Sequence, residues 1–388
     1  MNPFEVLSFI KRLRIQKSLF CFLFLFLSSY AHAISYYTRP IYKDPRWLGR
    51  GNTGVAVITD GSALFYNPAG LGQNQEYNFE VFNPSLGVAA NAYESGTSLS
   101  TFKGGSSTIS DKFSPFLGKP LTVESNLFPN VAIPKFAMGA FFAIDGSAEY
   151  RNPVNPELYI KERDDWGFTL GSGFSYEDRF FFGASIHYIK RTIIDEEITG
   201  ATFLNSSLST LTGLTKKGIG VGANLGFQYK QPLSEHHYYS LGISIDDVGS
   251  THFRNKSLTL KEPSYQQQSV NFGSAYTIES EVFDLKVLVD ARHLDRSVDY
   301  AVGKQIFLGT EVSLLFMDLR AGFYEGYWTA GLTLRFLPLF NLTLTTYAEE
   351  LDHSPGLREN RVYMLGISSG LHLKALGKKK QKYTLDAY

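Results

Sequence analysis

The chain predicts an all-β fold, a transmembrane antiparallel β-barrel of about fourteen strands with a small N-terminal plug. Three observations point to it. The start has the form of an export signal, the body alternates apolar and polar residues in long segments rich in aromatics, and short turns alternate with long polar insertions.

Lys11, Arg12, Arg14 and Lys17 precede the apolar run Leu19 to Leu27, and Ala31-His32-Ala33 closes it, so residues 1–33 read as a signal peptide cleaved after Ala33. That run of about nine residues is too short for a bilayer-spanning helix, which needs roughly 20. Cys21 is the only cysteine, which leaves the exported chain without a thiol and excludes thiolate metal sites and cysteine nucleophiles. Charged residues are 19% of the 388 and aromatics 15%, a balance that suits a lipid-facing surface. The formal net charge is zero, so there is no basic footprint for nucleic acid.

After Ala33 no run of about 18 apolar residues occurs, and alternation takes its place. Ile306, Leu308, Thr310, Val312 and Leu314 oppose Phe307, Gly309, Glu311 and Ser313; Leu285, Val287, Val289 and Ala291 oppose Lys286, Asp290 and Arg292. Leu319, Ala321 and Phe323 oppose Arg320, Gly322 and Tyr324; Trp328, Ala330, Leu332, Leu334 and Phe336 oppose Thr329, Thr333 and Arg335. The recurring charged set Lys286, Asp290, Arg292, Glu311, Arg320, Arg335 and Glu349 is therefore assigned to the lumen, with Arg320, Arg335 and Glu311 paired with one another. A sandwich also alternates, but segments such as 218–231, 267–279 and 361–373 are longer than typical sandwich strands and match a tilted membrane crossing.

Short turns are expected at Glu177-Asp178, Gln231-Pro232, Ser280-Glu281, Met317-Asp318, Glu325-Gly326 and Leu337-Pro338, and longer insertions at 95–114, 195–217, 249–264 and 351–360. Residues 34–75 are rich in Gly, Asn and Pro and lack alternation; they are assigned to a plug inside or beneath a barrel spanning 76–374. Residues 375–388, with Lys378, Lys379, Lys380 and Lys382, form a basic periplasmic tail.

Gly49-Arg50-Gly51-Asn52-Thr53-Gly54 matches a dinucleotide-binding pattern, yet no strand precedes it and no βαβ unit follows, so its glycines are assigned to tight turning and packing. The longer stretch LGRGNTGVAVITDGSALFYNPAGLG, Leu48 to Gly72, resembles the N-terminal signature of the FadL-like outer-membrane protein superfamily, which includes fatty acid and hydrocarbon channels and PorV/TraF-like relatives. A weaker resemblance to the PorV/TraF-like branch runs from Arg320 to Leu351. The resemblance implies that Asn67, Pro68, Ala69 and Gly70 belong to a hatch folded into the lumen. Proline chemistry agrees, since Pro68 restrains its own backbone and keeps Asn67 out of helix.

Eight histidines are scattered, without a His-Glu-x-x-His element or a Gly-x-Ser-x-Gly elbow, so the chain is read as a non-enzyme with no cofactor or metal, and its histidines as solvated or interfacial. The resemblance implies a passive channel for hydrophobic small molecules such as long-chain fatty acids, in the outer membrane of a Gram-negative bacterium and surrounded by membrane lipid. The alternative is a PorV/TraF-like scaffold that binds a protein partner in secretion or envelope assembly.

Overall fold

A computed structural model describes residues 40–91, 117–152, 157–199, 215–255, 261–296, 301–337, 340–352 and 355–374. The signal peptide, the basic tail and the 95–114 insertion lie outside the described residues.

One antiparallel sheet of sixteen strand segments closes on itself. Two pairs of segments are interrupted halves of single strands, leaving fourteen staves. β1 is Glu76–Phe82 continued as Ser85–Ala89, both halves pairing with the last strand. β2 is Leu121–Leu127 continued as Asn130–Ile133, both halves pairing with β3, Phe136–Arg151. Then follow β4 (Glu157–Tyr176), β5 (Phe180–Thr199), β6 (Lys216–Pro232), β7 (His237–Asp246), β8 (Ser269–Glu279) and β9 (Asp284–Ala291). β10 (Ile306–Ser313), β11 (Met317–Tyr324), β12 (Tyr327–Leu337), β13 (Phe340–Glu350) and β14 (Glu359–Lys374) complete the ring. Every strand pairs with its sequence neighbours, the simplest route by which an open sheet removes its edges.

The alternating residues divide as their pattern demands. Phe168, Leu170, Ile186, Val221, Leu308, Leu319 and Trp328 are exposed on the outer face, while Thr169, Ser185, Asn224, Ser244, Asp290 and Glu311 are buried on the inner one. Among the described residues no helix is long and apolar enough to cross a membrane.

The rim that carries the start of β1 and the end of β14 has short connections at 134–135, 177–179, 233–236, 280–283 and 314–316. The other rim is longer at 200–215, 247–268, 292–305 and 351–358, although 325–326 there is a tight turn. Two expected turns are displaced. β6 runs to Pro232 and turns after it, and β11 starts at Met317, with Asp318 pointing inward to pair with Arg320 and Arg335 rather than marking a turn. The expected insertion at 195–217 is partly strand, since β5 continues to Thr199 and β6 starts at Lys216; 200–214 lie outside the described residues.

Candidate functional site

Two stretches of chain enter the ring. The first, 40–75, contains two short helices, α1 (Pro45–Leu48) and α2 (Ala63–Tyr66), and a 3-10 turn, Pro68–Gly72. α1 and the 3-10 turn begin where a side chain and a proline favour them: Asp44 caps α1 by accepting from the Arg46 amide ahead of Pro45, and the Asn67 side-chain Oδ1 accepts from the Ala69 amide just ahead of Pro68.

Helices this short have no independent stability, so the wall must hold them. Lys43 meets Glu124 of β2 at 2.7 Å, Asp145 of β3 at 3.3 Å and Glu349 of β13 at 2.6 Å. Arg46 faces Glu80 of β1 at 3.6 Å, Thr345 of β13 donates to the Pro45 carbonyl, and Pro45 packs on Gly366 of β14. Arg50 meets Glu311 of β10 at 3.0 Å, Thr329 of β12 accepts from the Gly51 amide, and Asp290 of β9 accepts from the amides of Gly54 and Val55. Arg163 of β4 donates to the Pro40 carbonyl and Ser185 of β5 to that of Leu64. Asn67 Nδ2 donates to the carbonyls of Val55, Phe227 of β6 and Ile243 of β7 at 2.7, 3.1 and 3.2 Å. With Val55 against Gly273 of β8 and Gly51 against Gly322 of β11, the segment touches all fourteen strands, which is possible only from within the ring.

The close approach depends on a belt of inward glycines. Gly173, Gly183 and Gly226 are register partners on β4, β5 and β6, as are Gly242 and Gly273 on β7 and β8, and Gly309 and Gly322 on β10 and β11. A Cβ on Gly183 would stand 2.2 Å from the Pro68 carbonyl oxygen, on Gly226 2.0 Å from Asn67 Oδ1, and on Gly242 2.2 Å from the Val55 carbonyl oxygen. The segment's own Gly51, at φ +70°, completes the fit beside β10 and β11. The Gly-x-Gly-x-x-Gly stretch is thus a packing element.

Around this belt lie charged networks and one large apolar cluster. On the β9–β14 side, Glu311 accepts from Arg50, Lys286 at 2.9 Å and Arg320 at 2.7 Å; Arg320 and Arg335 share Asp318. Arg50 also stacks on the Trp47 ring at 4.0 Å. Arg292 donates to the Asn52 carbonyl and to Asp290. Within the segment, burial opposes the charge on Asp44, but the Arg46 guanidinium outweighs it and holds the carboxyl below its ordinary range. Burial conversely lowers the Arg50 guanidinium from its usual value, with Glu311 opposing.

On the β2–β5 side, beside the Lys43 ion pairs with Glu124 and Asp145 and the hydrogen bonds from Arg163 and Ser185, lies a large apolar cluster. Phe65 packs on Tyr42, Phe128, Phe141 and His187 with centroids 5.0–5.5 Å apart, and Ile58, Leu64 and Leu71 meet Ala132, Ala137 and Ile189 in the same cluster. His187, expected to be solvated or interfacial, is fully buried here, its Nδ1 on Thr169 Oγ1 at 2.8 Å and its ring stacked on Phe65. This face adjoins the interruptions in β1 and β2. Asn83, between the halves of β1, bonds both the amide and the carbonyl of Phe128, between the halves of β2, and the Phe128 ring turns inward.

The second stretch that enters is part of the 247–268 connection. Thr251 and Phe253 lie over Gly218, Gly220 and Gly222 of β6, and Phe253 stacks on Arg191 at 4.4 Å.

All seven charged residues assigned to the lumen sit on the inner face or, for Arg292, just beyond β9; the structure joins Lys286, Glu311, Arg320 and Arg335 in one network, Asp290 and Arg292 in a second, and places Glu349 with Lys43 across the ring. Asn67 to Gly70 lie buried at β5–β7. Sequence reasoning missed Lys43, Arg50, Phe65 and Phe128. Their only signal was large or charged side chains in segments without periodicity.

No family model matches the sequence, and no curated protein does. Among solved structures, a TodX monoaromatic hydrocarbon channel deletion mutant aligns over 86% of this chain and 99% of its own, at 11% identity and TM-score 0.49. The Ralstonia pickettii toluene transporter TbuX aligns over 85% and 97%, at 10% identity and TM-score 0.46. A Pseudomonas aeruginosa FadL homologue aligns over 85% and 97%, at 8% identity and TM-score 0.32.

Proposed function

We propose that the protein is a passive outer-membrane channel for hydrophobic small molecules, long-chain fatty acids among the candidate cargoes, and that residues 40–75 are its plug. The single supporting observation is the apolar cluster that the segment shares with the wall, set beside the ion pairs that hold the segment. Ion pairs hold Lys43 to β2, β3 and β13 and Arg50 to β10, whereas an aromatic and aliphatic cluster packs Phe65, Ile58 and Leu71 within the ring. An apolar cargo competes for the apolar cluster and not for the ion pairs, because buried ion pairs offer it no compensating partner. Cargo binding therefore loosens the segment around Phe65 while Arg50 and Lys43 keep it tethered, and no cofactor is required. The outer face of exposed Phe, Leu, Ile and Val suits acyl chains, and the short-turn rim faces the periplasm in this orientation.

The test is uptake of radiolabelled fatty acids and monoaromatic hydrocarbons by a deletion strain, complemented with wild-type protein or with Phe65→Asp. Wild type restores uptake of at least one apolar cargo and Phe65→Asp does not. Equal uptake with and without the gene across the panel refutes the reading. A scaffold role draws support from β4 and β5, whose 20 residues each exceed what a crossing needs and project a charged wall at the long-loop rim. A stoichiometric protein partner recovered with the intact barrel, together with unchanged uptake, favours that role.

A further inference from the structure

The short-turn rim is of two kinds. Between β4 and β5 it is charged, at Glu177, Asp178 and Arg179, and just above it Phe174, Tyr176, Phe180 and Phe182 form an aromatic band. Across the ring the 314–316 turn is wholly apolar, and the 280–283 turn carries Val282 and Phe283 after polar Ser280 and Glu281. Val282 and Phe283 join β8 to β9, Leu315 and Phe316 join β10 to β11, and Leu315 is 93% and Val282 75% exposed.

Strand length gives a reason. On β4 the outward run, apolar but for Ser172, extends from Trp166, whose ring carries Lys190 at 5.1 Å, down to Tyr176, and outward Asp164 and Glu162 lie beyond it. That run covers about eleven residues, the length of a tilted crossing. By contrast β9, β10 and β11 have 8 residues each. At ~3.4 Å per residue and a tilt near 40°, eight residues rise only about 20 Å, short of the ~25 Å apolar band of such barrels. The outward series Phe323, Ala321, Leu319, Met317 continues without a polar break into Leu315, and Val287, Leu285 continues into Phe283.

We infer that the 314–316 turn, with Val282 and Phe283 of the neighbouring turn, is immersed in acyl chains of the inner leaflet, completing the apolar band that β9–β11 are too short to supply, so that the barrel leans with this arc deepest. The inference rests on the membrane-barrel reading above. Its occupant is lipid rather than a protein, because these apolar residues continue the outer belt instead of forming a separate patch.

The mature chain has no cysteine after Cys21, so single-site labels are clean. Leu315→Cys, Val282→Cys, Asp178→Cys and Leu170→Cys are each spin-labelled in the full mature protein, refolded into phosphatidylethanolamine–phosphatidylglycerol vesicles. Collision with dissolved oxygen is compared with collision with a water-soluble nickel chelate. Labels at 315 and 282 follow Leu170, with an oxygen-to-nickel ratio roughly tenfold above Asp178, a ~1.4 kcal/mol difference in partitioning. Labels at 315 and 282 that follow Asp178 while Leu170 reports lipid overturn the inference and leave the barrel standing. A water-accessible Leu170 overturns the barrel reading itself.

Discussion

Glu311 offers a decisive perturbation because three cations depend on it. It accepts from Arg50 of the segment, Lys286 of β9 and Arg320 of β11 and is 3% exposed. In Glu311→Gln, those cations keep their desolvation but lose the shared anion, and only Asp318 remains nearby to serve Arg320. Breaking a buried pair by removing one partner costs about 3–5 kcal/mol, and part of that cost is relieved when Arg50 leaves for water with the segment. Taking about 3 kcal/mol as the share that bears on docking gives a shift of order a hundredfold in the docked-to-undocked equilibrium. Arg50→Met removes a cation from a cation-rich cluster and leaves Glu311 with two partners, so its effect is smaller, about 1 kcal/mol. The assay is cleavage of residues 40–75 by an added protease in the refolded barrel, at protease levels where the rate tracks the undocked population. Retention of heat-modifiable gel migration shows that the barrel is still closed. The order Glu311→Gln far above Arg50→Met, with wild type slowest, is expected. Equal rates for wild type and Glu311→Gln in closed barrels refute the view that this network holds the segment.

Asn67→Ala removes four hydrogen bonds joining the segment to itself and to β6 and β7, and is expected to raise the same cleavage rate by about 1–3 kcal/mol equivalent, without altering barrel closure. Gly226→Ala puts a Cβ 2.0 Å from Asn67 Oδ1 and prevents seating, whereas Gly146→Ala, whose nearest neighbour would be 3.7 Å away, leaves cleavage at the wild-type rate; single-channel conductance in planar bilayers rises for the first and not the second. Asp44, depressed in the folded state by Arg46, contributes its stabilisation fully above its unfolded value near 3.9 and loses it as pH falls below that value through the folded one. Segment cleavage by an acid-active protease therefore accelerates below about pH 3.9, and in Asp44→Asn that component of the pH dependence is absent. Phe65→Ala empties the aromatic cluster and costs about 3–5 kcal/mol at full burial, less here because Phe65 is only partly buried; faster cleavage is expected with the ion pairs intact.

Alternation in the last third of the chain was sufficient to identify β9 to β12 and their inward charged residues, because a period of two forces every second side chain to one face whatever the partner strand. Asp318 and Pro232 misled the turn assignment for one reason. Polarity and proline mark turns in water-facing hairpins, but an inward barrel position is also polar, and a strand end tolerates proline.

By itself the sequence determined an all-β chain with a two-faced wall, about fourteen strands and a glycine-rich preface, since these follow from local periodicity and composition. Only the tertiary structure decided that Lys43 meets residues of β2, β3 and β13, that Arg50 completes the charge on Glu311, and that Phe65, Phe128 and His187 share one apolar face. Those contacts join residues as far apart as 306 positions. Closure of the ring sets them, and no local pattern in the chain encodes which inward residues a non-periodic segment will meet when it is drawn inside.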